Sequence, residues 1–187
     1  EFDGTDAGLD SEAQRAEDCC LAAGAREVRR AHDDAEREAL WKGRKKAFGA
    51  MGRIAPDLLV QDATVPRSKL PGVLHRIIEI GHQHGLRLAN TFHAGDGNLH
   101  PKILFDRRDP DQVTRVEQAS EEIMRVCVAA GGTITGEHGV GLDKRDYMTL
   151  VCSPVELDLM AGVKAVFDPR GLCNPGKVLP PSDEVRW

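Results

Sequence analysis

The stretch Leu86-Arg-Leu-Ala-Asn-Thr-Phe-His93-Ala-Gly-Asp96-Gly97-Asn-Leu-His100-Pro-Lys-Ile-Leu-Phe105 reads as two strands joined by a tight turn. Asp96-Gly97 is a dipeptide favoured at the centre of a two-residue type I′ hairpin, where both positions need positive φ. The flanks Leu86–Phe92 and Lys102–Phe105 have the composition of strands. With the turn centred there, cross-strand partners have numbers summing to 193, so His93 faces His100. Directly opposed residues have Cβ atoms roughly 4.5–5.5 Å apart, close enough for two imidazoles to share one ion. The same register sets Pro101 opposite Phe92 in a non-hydrogen-bonded pair, where its missing N–H is not needed.

Helical signals surround the hairpin. Ser68–His84 carries Leu70, Val73, Leu74, Ile77, Ile78 and Ile80 and stops at Gly85. Asp109-Pro110-Asp111-Gln112 offers an N-cap, an N1 proline and a polar first turn. Val113, Val116, Ile123, Val126 and Cys127 then recur at helical spacing as far as Gly131-Gly132. Upstream, Leu59–Val65 is strand-like and ends at Pro66. Helices are predicted over Ser11–Gly24 and from Asp33 to about Phe48, the second with a capping-box-like Asp33/Glu36 start. The last third reads as a glycine-rich loop, helices near Lys144–Leu150 and Pro154–Val166, and a turn-rich tail. Helices and strands alternating around a short hairpin favour an α+β fold with an antiparallel sheet over a doubly wound parallel sheet.

A chain of 187 residues is one domain, or one domain with an appended tail. Aromatics make up only 4%, so the core must rest on Leu, Val, Ile and Ala. A net charge of −5 with both signs mixed argues against a nucleic-acid surface. No apolar run approaches the ~18 residues of a membrane span. Cys19, Cys20, Cys127, Cys152 and Cys173 show no C-x-x-C spacing. That suits a reducing cytoplasm and free thiols, and speaks against an iron–sulfur cluster in this chain. Cys19-Cys20 reads either as a redox pair or as two ordinary helix residues.

Two histidines, His93 and His100, with Glu137 from Gly136-Glu137-His138-Gly139, would offer two nitrogens and a carboxylate to a divalent ion. Zn or Fe fits that set, with Mn also compatible, and positions would stay open. Otherwise the two imidazoles hydrogen-bond to each other. His138 sits among glycines 136, 139 and 141, which let the backbone approach a ligand. It could be a base near neutral pH or a group that orients the loop. The G-x-x-G-x-G order departs from the dinucleotide fingerprint. Arg44 shares a helical stripe with Trp41 and Phe48. A guanidinium buried there needs a carboxylate, from Asp62, another protein acid or a substrate, whereas Lys45 and Lys46 read as solvated. Asp168-Pro-Arg-Gly171 and Asn174-Pro-Gly-Lys177 are turn sequences.

Three motifs together, Asn90–Pro101, Gly132–Gly141 and Phe167–Lys177, resemble the C-terminal half of the FAD-linked 2-hydroxyacid oxidoreductases of the vanillyl-alcohol-oxidase superfamily, most of all the glycolate oxidase branch. D-lactate and D-2-hydroxyglutarate dehydrogenases are relatives. The resemblance implies a ferredoxin-like cap (substrate) domain over 1–135 and a segment over 136–187 that returns to the flavin site. The N-terminal FAD-binding domain would be absent from this chain, leaving the fragment inactive alone. FAD would be the cofactor, held mostly by that missing domain, with a divalent metal beside it. His93, His100 and Glu137 match metal ligands of relatives, and an open position on the metal suits a hydroxyl and carboxylate that chelate. Arg44 would bind the substrate carboxylate, His138 would take the hydroxyl proton and Asn174 would stand nearest the flavin ring. The acid-binding lysine and asparagine of the 2-hydroxyglutarate branch align with Val60 and Lys102, which favours glycolate or lactate over a dicarboxylate. Implied partners are the 2-hydroxyacid, the FAD domain and an iron–sulfur or other electron-accepting subunit, in the cytoplasm or peripheral to the inner face of the membrane. The rival readings are a stand-alone metal-binding module and a zinc hydrolase with His138 as base.

Overall fold

β4 (Asn98–Phe105) is the middle strand of an antiparallel sheet in the computed structural model, which describes residue 2 and residues 4–181. β3 (Arg87–His93) lies along one side of it. β1 (Asp57–Val60) and β2 (Ala63–Thr64) follow end to end along the other, in one continuous register with Val60 opposite Lys102 and Ala63 opposite Leu99. The predicted strand Leu59–Val65 is thus split, and Pro101 is the cause. The Gln61 N–H donates to the Pro101 carbonyl at 2.8 Å, and a proline has no N–H to return the bond. Because the bonding edge of Pro101 faces β1, its other side falls on a non-hydrogen-bonded pair. The hairpin therefore loses nothing to the proline, as expected, but the partner is Asn90 rather than Phe92.

The hairpin register differs from the expected one. His93 pairs with Asn98, Phe92 with Leu99 and Thr91 with His100. Four residues, Ala94–Gly97, make the connection, with the Asp96 N–H donating to the His93 carbonyl at 3.1 Å and the Gly97 N–H to that of Ala94 at 3.4 Å. A type I′ turn needs positive φ at both central residues, and in this loop only Gly97 has it, at 71°. The turn centre therefore moves back by one residue. Each strand residue's partner moves by two, so His93 and His100 stay on the same face as diagonal neighbours.

Leu99, Ile103 and Phe105 on one face of β4 join a core with α3 (Leu70–Gln83) and α4 (Pro110–Ala129). α3 contributes Leu70, Val73, Ile77 and Ile80, and α4 contributes Val116, Ala119, Ile123 and Cys127. The predicted N-cap of α4 forms: the Asp109 side chain accepts from the Asp111 and Gln112 amides. After α4, Thr133 bridges to Thr64 on the outer side of β2 through backbone bonds of 2.8 and 3.4 Å. This gives the β-α-β-β-α-β connectivity of a ferredoxin-like arrangement. A 3₁₀ turn over Arg145–Leu150 and α5 (Pro154–Phe167) complete the second of two compact units, which starts at Gly49.

The first unit, up to Phe48, holds α1 (Asp6–Ala22) and most of α2 (Asp34–Met51). α2 starts as predicted on one side of the box only: Asp33 accepts from the Glu36 amide at 2.8 Å, while Glu36 reaches past Asp33 to the His32 amide at 2.9 Å. Ser11 does not cap α1, whose N-cap is Thr5. α1 starts at Asp6, ahead of the predicted Ser11. The cysteines are free thiols. Among the described residues no helix is long and apolar enough to cross a membrane.

Candidate metal and active site

The face of β4 opposite the core presents Asn98, His100 and Lys102, all buried. Three charged or polar side chains in a central strand need partners, because an unmatched buried polar group is costly. Lys102 donates to Thr91 Oγ1 on β3. His100 meets the loop 135–139, which closes over this end of the sheet.

Glu137 Oε1 is the hub of the cluster. It lies 3.0 Å from His100 Nε2, 3.9 Å from His93 Nε2 and 3.8 Å from His138 Nε2. The rings of His93 and His100 meet edge to face at 5.3 Å, and His100 and His138 stack at 5.1 Å. Only His100 is buried, with 7% of its side chain exposed against 46–54% for the other three. The cluster therefore has a dry floor and an open top. Burial pulls the His100 pKa below its ordinary value, outweighing the carboxylates of Asp62 and Glu137, which raise it. A neutral imidazole is the form a metal binds.

The donor set fits a divalent ion. One atom each from His93, His100 and Glu137 lie within 4.8 Å of one another. Bonds of about 2.0–2.2 Å place two ligands of one ion roughly 3–4 Å apart. Asp62, His100 and His138 also come together at this range, but Asp62 is already committed. Its carboxylate accepts from Thr135 Oγ1 at 2.8 Å, from the amides of Gly136 and His138 at 2.9 Å and from that of Glu137 at 3.1 Å. Lys144 Nζ lies 3.4 Å from the same oxygen and donates to the Asp62 carbonyl at 2.6 Å. Burial would raise the Asp62 pKa, yet the His138 amide, the Thr135 hydroxyl, the Gly136 amide and Lys144 together hold it well below the usual carboxylate range. A cation on that side would meet the Lys144 ammonium.

His93, His100, Glu137 and His138 are thus brought together as the sequence suggested, with His138 against the same carboxylate oxygen. Arg44 is different: it is exposed on α2 in the first unit, beside a Trp41 and a Phe48 that are also exposed, so the expected burial of its guanidinium does not occur there. Asp62, considered as its partner, serves the loop instead. Asn174 is exposed in the tail with a positive φ of 45° and accepts from the Lys177 amide at 3.4 Å. The next bond along, Val178 N–H to the Gly141 carbonyl at 2.8 Å, ties the tail to the glycine-rich loop. What sequence reasoning missed is Lys144 and the true role of Asp62, which it read only as a partner for Arg44. The available signal was a carboxylate inside the apolar run Leu58–Val65, which a fold can bury only against dedicated donors.

Comparison with known proteins adds the following. The family described as FAD linked oxidases, C-terminal domain, matches residues 1–178. The chain is 48% identical over 180 residues to the glycolate oxidase subunit GlcD of Escherichia coli (strain K12), covering 96% of this chain and 36% of that protein. It is 35% identical over 181 residues to a probable mitochondrial D-lactate dehydrogenase of Danio rerio, covering 96% and 36%. It is 36% identical over 143 residues to D-2-hydroxyglutarate dehydrogenase of Stutzerimonas stutzeri (strain A1501), covering 74% and 30%. The chain therefore spans about a third of the length of the curated relatives it matches.

Proposed function

We propose, from the premise that the chain belongs to the FAD-linked oxidase C-terminal domain family, that it forms the substrate side of an FAD-dependent enzyme oxidising a small 2-hydroxyacid such as glycolate or D-lactate. The observation that carries this reading is the convergence of three imidazoles on one Glu137 oxygen, open to solvent on one side. His93, His100 and Glu137 would hold a divalent ion, which supplies Lewis acidity to the substrate hydroxyl. His138 would take the hydroxyl proton, and Arg44, by the resemblance alone, would pair with the carboxylate. Bound FAD would supply the hydride acceptor for the substrate Cα, and Asn174 is the residue of this chain that would help hold it. The reaction would yield the 2-oxoacid, with the hydroxyl proton taken by His138. Val60 and Lys102, standing where the resemblance puts the acid-binding lysine and asparagine of the 2-hydroxyglutarate branch, favour a monocarboxylate. Family membership sets aside the hydrolase and stand-alone readings.

An FAD-holding part of the same protein is the partner proposed for α5. One stripe of that helix, Val155, Leu159, Val163 and Val166, is 62–77% exposed, and Phe167 is 84% exposed. An apolar surface of this kind marks a docking face. The chain alone is accordingly expected to elute without flavin absorbance and to reduce no dye. Retention of stoichiometric flavin by these 187 residues would contradict the division of labour. The GlcD relative is by name a subunit of glycolate oxidase, which supports an electron-accepting partner subunit here.

The test is dye-linked oxidation by the full-length protein with glycolate, D-lactate and D-2-hydroxyglutarate. Turnover of the first two above the third is expected, and no turnover of any of them overturns the proposal. In the same assay Arg44→Lys keeps the charge but loses the planar two-pronged donor, so KM should rise with kcat nearly unchanged. An unaltered KM would remove Arg44 from the carboxylate site.

A further inference from the structure

We infer that Asp62 is the positioning residue of the cluster: its buried carboxylate sets where Glu137 and His138 stand relative to His100. The inference rests on the proposed metal and base roles of those residues and adds the device that aligns them. The loop 135–139 belongs to no helix or strand. The amides of Gly136, Glu137 and His138 are three consecutive donors, and all three point at one carboxylate. Among the described residues no backbone carbonyl accepts from any of them. Backbone donors beside a buried group must be satisfied, so the loop conformation is dictated by Asp62 rather than by a ladder of its own. Thr135 tightens the arrangement, donating its hydroxyl to Asp62 and accepting from the Gly139 amide at 2.9 Å.

The other side of Asp62 faces the histidine. Asp62 precedes Ala63, which pairs with Leu99, so it stands beside His100 across the sheet. Asp62 Oδ1 is 3.8 Å from His100 Nδ1, a buried nitrogen that has no hydrogen-bond partner among the described residues, while Nε2 of the same ring contacts Glu137 at 3.0 Å. One carboxylate thus borders both the ring and the loop that meet at the hub. Lys144 is anchored to the Asp62 carbonyl and side chain, which fixes the carboxylate in turn. Groups that orient a ligand through its far nitrogen or its backbone typically contribute 10–100-fold to metal affinity.

The experiment compares the unmodified chain with Asp62→Asn, a nearly isosteric change that replaces an acceptor oxygen with a donor NH₂. Amide hydrogen exchange at 136–138 and titration with Co²⁺, read by its visible absorption, are measured on each. Exchange at these amides should accelerate, and Co²⁺ affinity should fall by roughly 10–100-fold with shifted absorption bands while thermal unfolding stays cooperative. A merely structural residue would lower the melting temperature and leave the spectrum of the folded protein unchanged. Equal exchange and equal Co²⁺ binding overturn the inference. If the unmodified chain takes up no Co²⁺, the metal reading fails by itself, and the exchange result alone decides the role of Asp62. If Asp62→Asn does not fold, Thr135→Val, which removes one donor to Asp62, should show a smaller loss in the same direction, and no loss in that folded variant overturns the inference.

Discussion

In the full-length protein, His138→Asn is expected to lower kcat for glycolate or D-lactate by about 10²–10⁴-fold, the usual cost of losing a general base. The substitution isolates the imidazole. Residue 138 is held by its own amide, which donates to Asp62 at 2.9 Å, and an asparagine keeps that amide. What disappears is a ring nitrogen 3.8 Å from Glu137 Oε1, stacked on His100 and 46% exposed on the open side of the cluster. Hydride cannot leave the substrate Cα unless the hydroxyl proton leaves as well, and an amide cannot accept it. KM should change little, because a proton acceptor acts in the transition state more than in binding. Flavin content should be unchanged. Near-normal turnover at full flavin occupancy would place His138 in the supporting shell and leave the base role to another group.

The parts of this molecule that could be read in the sequence are those with a local physical signature. Asp109-Pro110 caps α4 as its chemistry requires. The apolar periodicity of Ser68–His84 marks α3 and its buried face. His93 and His100 could be assigned to one face because side chains alternate with period two, and that parity survived the two-residue change of partner. The register itself did not survive. It hangs on whether Asp96 adopts positive φ, a small energy difference that the surrounding sheet decides. Gly97 is pinned just beyond β2 by the Val65 N–H, which donates to its carbonyl at 3.0 Å, and no local signal announces that bond. The split of β1 from β2 likewise depends on Pro101, remote in sequence from Gln61. The role of Asp62 was hidden for the same reason: its partners lie at 135–138 and 144, and a strand composition says nothing about which loop will supply them.

Gly97→Ala is expected to produce the largest loss of stability in the hairpin, about 2–5 kcal/mol, from two independent causes. Gly97 has φ of 71°, a region that costs an alanine roughly 1–2 kcal/mol. A Cβ built on it would also run into the Val65 carbonyl, and backbone cannot swing aside as a side-chain tip can. Overpacking of that kind typically costs 1–3 kcal/mol. Val65 is nearly fully buried in the core, so the hairpin must move instead, carrying His93 and His100 away from Glu137. Gly95 is the internal control. It lies in the same four-residue connection, its φ is not positive, and nothing lies within 4 Å of a Cβ placed there. Gly95→Ala should leave both stability and Co²⁺ binding within error, while Gly97→Ala lowers the melting temperature by roughly 5–15 °C and weakens Co²⁺ binding. If the two variants melted together, the turn would be tolerant at Gly97, and the contact between Val65 and the hairpin loop would not be what fixes the histidines.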